Sequence, residues 1–319
     1  MLTSNKRLVC GITMGDPSGI GPEIILKGLT GKGIQRLGKF VVIGDKWILN
    51  KCKTRIQKFD LIYLKNVPRE GFAFGKIKAE YGKAALEYLD TAIELLKNKR
   101  IDCLVTAPLN KKAVTLSGCA FSGHTEYLSQ AFQAKNTQMM LFNQKIRVVL
   151  VSRHIPLKDV AGNLSIGTIF KTISAAASSL KSLFSLRNPN LAVCGLNPHA
   201  SDNGIIGTEE NDIIIPAINK AKAKGIKVDG PHPADTIFNQ AIRGKYDCLI
   251  CMYHDQGMIP LKLTGFNQTV NITLGLPFAR TSPGGGTAFD IAGQNQADPQ
   301  SFIQAVKTAI QCAKNLRKA

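Results

Sequence analysis

Short β-branched apolar runs alternate with longer amphipathic stretches along the whole of this sequence, and that rhythm leaves few folds open. Leu8–Thr13, Lys39–Asp45, Asp60–Leu64 and Ile101–Thr106 read as strands. Within 78–97, Ala85, Leu86, Leu89, Ile93 and Leu96 recur at helical spacing and form one apolar stripe. Ile166–Leu186 and Thr208–Lys224 also read as helices, the second opened by Glu209 and Glu210 and closed by Gly225. Pro22 suits the first position of a helix, and Asp298-Pro299 suits the N-cap and first position of the last one. Such alternation predicts an α/β fold with layers of helix around largely parallel strands. At 319 residues, two α/β domains around a cleft fit better than one oversized sheet.

Composition excludes several classes. An apolar content of 44% describes a globular chain, and no stretch approaches the roughly 18 uninterrupted apolar residues of a membrane span. Met1–Arg7 runs into a strand-like segment without an export signal, so the expected compartment is the cytoplasm. The net charge of +19 comes from lysines spread thinly, as at 91–100 and 217–227, with few aromatics and no nucleic-acid motif. It reads as a lysine-rich solvated surface that also suits an anionic substrate. The cysteines sit mostly inside apolar runs (Cys10, Cys103, Cys194, Cys248, Cys251). Cys248 and Cys251 would face opposite sides of one strand, so buried structural thiols are expected.

Three of the five histidines stand just past an apolar run: His154 after Arg147-Val-Val-Leu-Val, His199 after Leu191-Ala-Val-Cys, and His254 after Asp247-Cys-Leu-Ile-Cys. Open α/β sheets bind ligands outside the carboxyl ends of their strands. Three imidazoles at one sheet edge would hold a divalent metal, zinc or cobalt most naturally, with positions left for a substrate. The bland alternative is three separately hydrogen-bonded structural histidines. His232 is the odd one out, and its loop is expected to matter through Asp235.

Other polar clusters also fall at strand ends. Thr13-Met-Gly-Asp-Pro-Ser-Gly-Ile-Gly-Pro-Glu23 looks like a nucleotide loop but lacks both the G-x-G-x-x-G spacing and a following Gly-Lys-Ser/Thr. A tight strand-to-helix turn explains it equally well. In Gly123-His-Thr-Glu126, Thr125 could cap a helix, or His124, Thr125 and the helix-end amides could meet an anion. Lys262, Asn271 and Arg280, followed by the glycine run Gly284-Gly285-Gly286, are pieces of a phosphate or carboxylate clamp.

Taken in order, Ile12–Glu23, Gly123–Glu126, Leu196-Asn-Pro-His199, Gly207-Thr-Glu-Glu210, Pro233-Ala-Asp-Thr236, Tyr253-His-Asp-Gln-Gly257 and Val270-Asn-Ile-Thr-Leu-Gly-Leu-Pro-Phe278 form a set. That set resembles the 4-hydroxythreonine-4-phosphate dehydrogenases, the PdxA family of pyridoxal phosphate biosynthesis. The resemblance implies an isocitrate/isopropylmalate-dehydrogenase-like fold, with a discontinuous first domain near 1–125 plus 280–319 and a second near 126–279 carrying a dimer interface. It implies NAD- or NADP-dependent oxidation of 4-phosphooxy-L-threonine to a β-keto acid that loses carbon dioxide. A related phosphorylated hydroxy acid, such as a threonate or erythronate phosphate, is the alternative substrate.

On that pattern His154, His199 and His254 match the ligands of a divalent metal (Zn, Co or Mg), in a site shared across a homodimer. His124, Thr125, Lys262, Asn271 and Arg280 match substrate-binding positions. Asp235 and Lys262 match the catalytic positions, and Gly286, Thr287, Ala288 and Asp290 the cofactor loop. Two departures stand out. Gly284-Gly285-Gly286-Thr287-Ala288 replaces the family's usual Asp-His-Gly-Thr-Ala, and Ala200-Ser-Asp-Asn-Gly204 departs from its usual Gly-Glu-Gly-Gly after His199.

Overall fold

The computed structural model describes residues 7–54, 59–119 and 121–318. Met1–Lys6, on which the reading of the N-terminus rests, lie outside the described residues. The strands in chain order are β1 Val9–Thr13, β2 Lys39–Gly44, β3 Asp60–Tyr63, β4 Cys103–Thr106, β5 Gln138–Phe142, β6 Arg147–Leu150, β7 Leu191–Cys194, β8 Val228–His232, β9 Cys248–Cys251, β10 Val270–Leu274 and β11 Ala279–Pro283. The chain forms two compact units. One comprises 1–134, 270–272 and 276–319; the other comprises 135–269 and 273–275.

In the first unit the strand order is β3-β2-β1-β4-β11, all pairs parallel. β1 and β4 are buried along almost their whole length, which explains their unbroken apolar character. The helix Ala79–Lys97 buries the predicted stripe, and Gln300–Leu316 packs on β11 and β4. The last helix starts one residue later than the sequence suggests. Pro299 is its N-cap, and the Asp298 carboxylate accepts from the Gln300 amide at 2.9 Å.

The second unit orders its strands β5-β6-β9-β7-β8, with β5 antiparallel to β6 and the rest parallel. Leu150, Ala192, Cys194, Leu249, Cys251, Ile237 and Leu261 share its core. Ser165 opens the helix Ile166–Phe184 through a capping box with Thr168. The stretch read as one helix over 208–224 is instead a π turn, Glu210–Ile214, running into the α-helix Ile215–Ala223. Pro216 has no N–H to continue an α ladder there, and the wider turn absorbs the defect. Among the described residues no helix is long and apolar enough to cross a membrane. All eight cysteines are free and six are buried, Cys194 and Cys251 facing each other across β7 and β9 at 3.9 Å.

Candidate active site

In the second unit β9 lies between β6 and β7, all three parallel, so their carboxyl ends open on one edge. His154, His199 and His254 follow those ends. The His154 and His254 rings are 5.7 Å apart, centre to centre, tilted by 44°. Two imidazoles on one tetrahedral cation, each nitrogen about 2.1 Å from it, would have ring centres roughly 5 Å apart. The observed separation is close to that spacing. His254 Nδ1 lies 2.7 Å from Asp255 Oδ1, a contact that restrains the ring and leaves Nε2 as its other donor. Both histidines line a cavity of about 320 Å³ with Ser152, Arg153, Tyr253 and Asp255.

His199 does not complete this pair within one chain. Among the described residues no three His, Cys, Asp or Glu side chains form a group able to hold a metal. Its loop is nevertheless held firmly. Residues 199–203, none of them glycine, all have left-handed φ (53°, 53°, 69°, 45° and 58°). Each costs roughly 1–2 kcal/mol relative to the ordinary helical region. Buried Glu210 anchors the base of the loop by accepting from the Leu196 and Asn197 amides at 2.7 and 2.8 Å and from Asn197 Nδ2 at 2.9 Å. Gln256 ties the ends of β9 and β7 together, accepting from Met252 N and donating to Gly195 O, both at 2.7 Å.

Asp235 lies exposed in the first turn of the helix Ala234–Ile242. Lys262 is exposed on the helix His254–Gly265, its Nζ 5.7 Å from the centre of the Phe266 ring. Neither lines the cavity of His154 and His254. His232 bonds Asp229 at 2.9 Å and stands 3.3 Å from the Tyr246 hydroxyl, the role of a structural histidine.

In the first unit Arg280 and His124 lie within electrostatic reach of each other. Arg280 on β11 is 2% exposed and donates from Nη2 to Thr106 Oγ1 on β4 at 2.5 Å. Burial pushes its guanidinium down to about 10, so it remains cationic at neutral pH. His124 begins the helix His124–Ala131. Burial, then the charges of Arg280 and Lys111, hold its pKa well below the ordinary histidine value, so the ring is neutral. Thr125 is the second residue of that helix, and Gly123 is the N-cap with no side chain capping it. The capping explanation for Thr125 therefore falls. Asn271 on β10 keeps a buried Oδ1 without a hydrogen-bond partner, an acceptor in want of a donor.

Gly286, Thr287, Ala288 and Asp290 occupy the loop after β11, where Ala288 has φ 40°. A Cβ added at Gly285 or Gly286 would meet nothing within 4 Å, so the space before them is open to a ligand. The Thr13–Glu23 segment proves to be a packed turn. The Asp16 amide donates to Pro108 O, Gly19 to Asp16 O, and Ile20 to Thr287 O, so these amides are spent on protein carbonyls.

Asp16 itself goes unmarked in the sequence reading. It is fully buried, Oδ2 has no partner, and burial raises its pKa to about 6. Ser18 Oγ lies 3.0 Å from Asp16 Oδ1 but 2.6 Å from Lys76 O. Hydrogen bonds from the Ser18 amide and hydroxyl to Oδ1 offset the effect of burial only in part. The available sequence signal was the Asp-Pro-Ser turn directly after a buried strand.

The family model described as "Pyridoxal phosphate biosynthetic protein PdxA" matches residues 36–309. This chain belongs to that family. It is 43% identical to a 4-hydroxythreonine-4-phosphate dehydrogenase of Sulfurihydrogenibium sp., over 96% of this chain and 98% of the relative. It is 41% identical to a D-threonate 4-phosphate dehydrogenase of Cupriavidus necator, over 96% and 97%. The crystal structure of the Klebsiella pneumoniae 4-hydroxythreonine-4-phosphate dehydrogenase superimposes with a TM-score of 0.88 at 37% identity, covering 97% of this chain and 99% of that one. The mixed α/β architecture is thus that of the family's solved members.

Proposed function

We propose that this chain is an NAD(P)-dependent dehydrogenase that oxidises 4-phosphooxy-L-threonine to a β-keto acid, which decarboxylates to 3-amino-2-oxopropyl phosphate, in the synthesis of pyridoxal 5'-phosphate. The carrying observation is the His154–His254 pair, held by Asp255 and opening on a cavity. His154 and His254, with His199 from a second copy of the chain, are the residues that would hold a divalent cation. When bound, that cation supplies Lewis acidity toward the substrate alcohol and the keto acid, and the dinucleotide accepts the hydride.

The chain's own groups bind and orient. Cationic Arg280 takes phosphate or carboxylate, and neutral His124 can donate or accept beside it without adding charge. Asn271 offers an unsatisfied acceptor to a substrate N–H or O–H. Proton handling is assigned to Asp235 and Lys262, and the anionic end of the substrate also to Lys262, on the family pattern alone, since both are exposed outside the histidine cavity. The loop Gly286–Asp290 receives the cofactor. Free, mostly buried thiols suit a reducing compartment, in keeping with a cytoplasmic enzyme.

A second reading has its own support in the 41% identity to the Cupriavidus necator D-threonate 4-phosphate dehydrogenase. Initial rates of NADH formation on the amino and hydroxy acid phosphates, with and without chelator, separate the two. Faster turnover of threonate phosphate would transfer the assignment, and metal-independent turnover would discard the histidine site. The shared site has a separate test. Inactive His154→Ala and His199→Ala proteins, dissociated and mixed, should regain activity through hybrid dimers, and no recovery would refute sharing.

A further inference from the structure

We propose that Glu23 is a positioning residue for the dinucleotide, fixing the loop after β11 without touching the ligand. The proposal rests on the reading of Gly286–Asp290 as the cofactor loop.

Glu23 lies in the first turn of the helix Gly21–Gly28 and is 2% exposed. Its carboxylate accepts from the Ala297 amide at 2.7 Å and the Asn295 amide at 3.2 Å. One turn on, Lys27 Nζ donates to the same carboxylate at 2.8 Å and to the carbonyls of Asn295 and Ala297 at 2.9 and 3.0 Å. The ion pair thus grips both the N–H and the C=O of two residues more than two hundred positions away. Asn295 has a left-handed φ of 62°, which an unanchored non-glycine residue seldom keeps.

The other end of the loop is fastened to the same helix. Ile20 N donates to Thr287 O at 3.0 Å, and a Cβ on Gly19 would come within 3.1 Å of that oxygen. Between these anchors and the strand lie Gly285 and Gly286, in open space. Three consecutive glycines carry a large entropy that a ligand would otherwise have to remove, so anchoring on their C-terminal side lowers the cost of binding. The Thr13–Glu23 segment therefore looks like a nucleotide loop because it supports one.

The test is Glu23→Gln, which keeps the shape and one acceptor oxygen but loses the charge that holds Lys27. NADH binding followed by fluorescence, and steady-state kinetics, should show Kd for NADH and KM for NAD rising about tenfold. kcat and KM for the phosphorylated substrate should stay within about twofold, since the residue meets no reacting atom. Amide exchange over 285–297 should quicken, and the milder Lys27→Met should shift NADH affinity the same way. A purely structural role would instead lower Tm and depress all kinetic parameters together, which would overturn the proposal. If the wild type binds NADH and Glu23→Gln binds it equally, the positioning role alone is refuted. If the wild type binds no NADH, the cofactor reading fails and the positioning role falls with it.

Discussion

Replacing Asp16 with asparagine should make the protein more stable at neutral pH, and the gain should vanish in acid. The carboxyl is fully buried, and its pKa is raised from 3.8 to about 6. Because the folded-state value lies above the unfolded one, the folded state binds the proton more tightly. Well below pH 3.8 both states are protonated and nothing is lost. As pH rises toward 6 the folded state must ionise a buried acid, and stability falls; beyond 6 the penalty is constant. Two pKa units at 1.36 kcal/mol each give about 3 kcal/mol. Asparagine keeps the Oδ1 that accepts from Ser18 N and Ser18 Oγ, and puts an uncharged NH2 in place of the buried Oδ2. Urea unfolding of both proteins at pH 4, 5, 6 and 7 gives the difference in unfolding free energy. That difference should move in favour of Asp16→Asn by about 2 kcal/mol or a little more between pH 4 and 7, the rest of the change lying at lower pH. Parallel stability curves would show that Asp16 ionises freely in the folded state and that its burial carries no penalty.

The remaining predictions bear on the proposed site. Asp255→Asn, which weakens the grip on His254 Nδ1, should lower divalent-metal affinity about 10- to 100-fold by calorimetric titration, and unchanged affinity would remove Asp255 from the site. Arg280→Met should raise KM for the phosphorylated substrate about 100-fold at saturating NAD, the loss of roughly 3 kcal/mol of charge-assisted hydrogen bonding. An unaltered KM would place the phosphate elsewhere. Ala200→Gly relieves one left-handed residue and should add about 1 kcal/mol of stability in denaturant while weakening metal binding. A gain in stability without loss of metal would show that the stiffness of the His199 loop serves no ligand.

The strands were legible because burial on both faces writes itself as an unbroken apolar run, as in Cys103–Thr106 and Cys248–Cys251. Helix ends were less so. Pro216 moves a boundary through a missing N–H, a backbone effect that hydrophobic spacing does not record. Among the proposed site residues, the histidines were visible because each follows a buried strand, a place that structural histidines also take. Asp16 and Glu210 were not. Their importance lies in which amides they meet in space, and Glu210 reads in sequence as one more acid at a helix start. The Thr125 cap failed for a similar reason: Gly123 takes that position, and side-chain capping is one of several ways to begin a helix.

The strand order also bears on why two histidines meet and the third does not. β9 carries His254 between β6 and β7, and neighbouring strands lie about 4.8 Å apart, so either flanking histidine could in principle join it. Val193 and Ile250 are in register, which puts Cys194 beside Cys251. From those matched ends, His254 follows directly as the first residue of a helix, whereas His199 comes after Gly195–Pro198 and begins a left-handed turn. That turn leaves His199 exposed although Glu210 and Gln256 fasten its base. Strain of this kind persists where surroundings enforce it and tends to collect at functional sites. Residues 200–203 share this conformation, so the strain belongs to the whole turn that presents His199 and not to the imidazole alone.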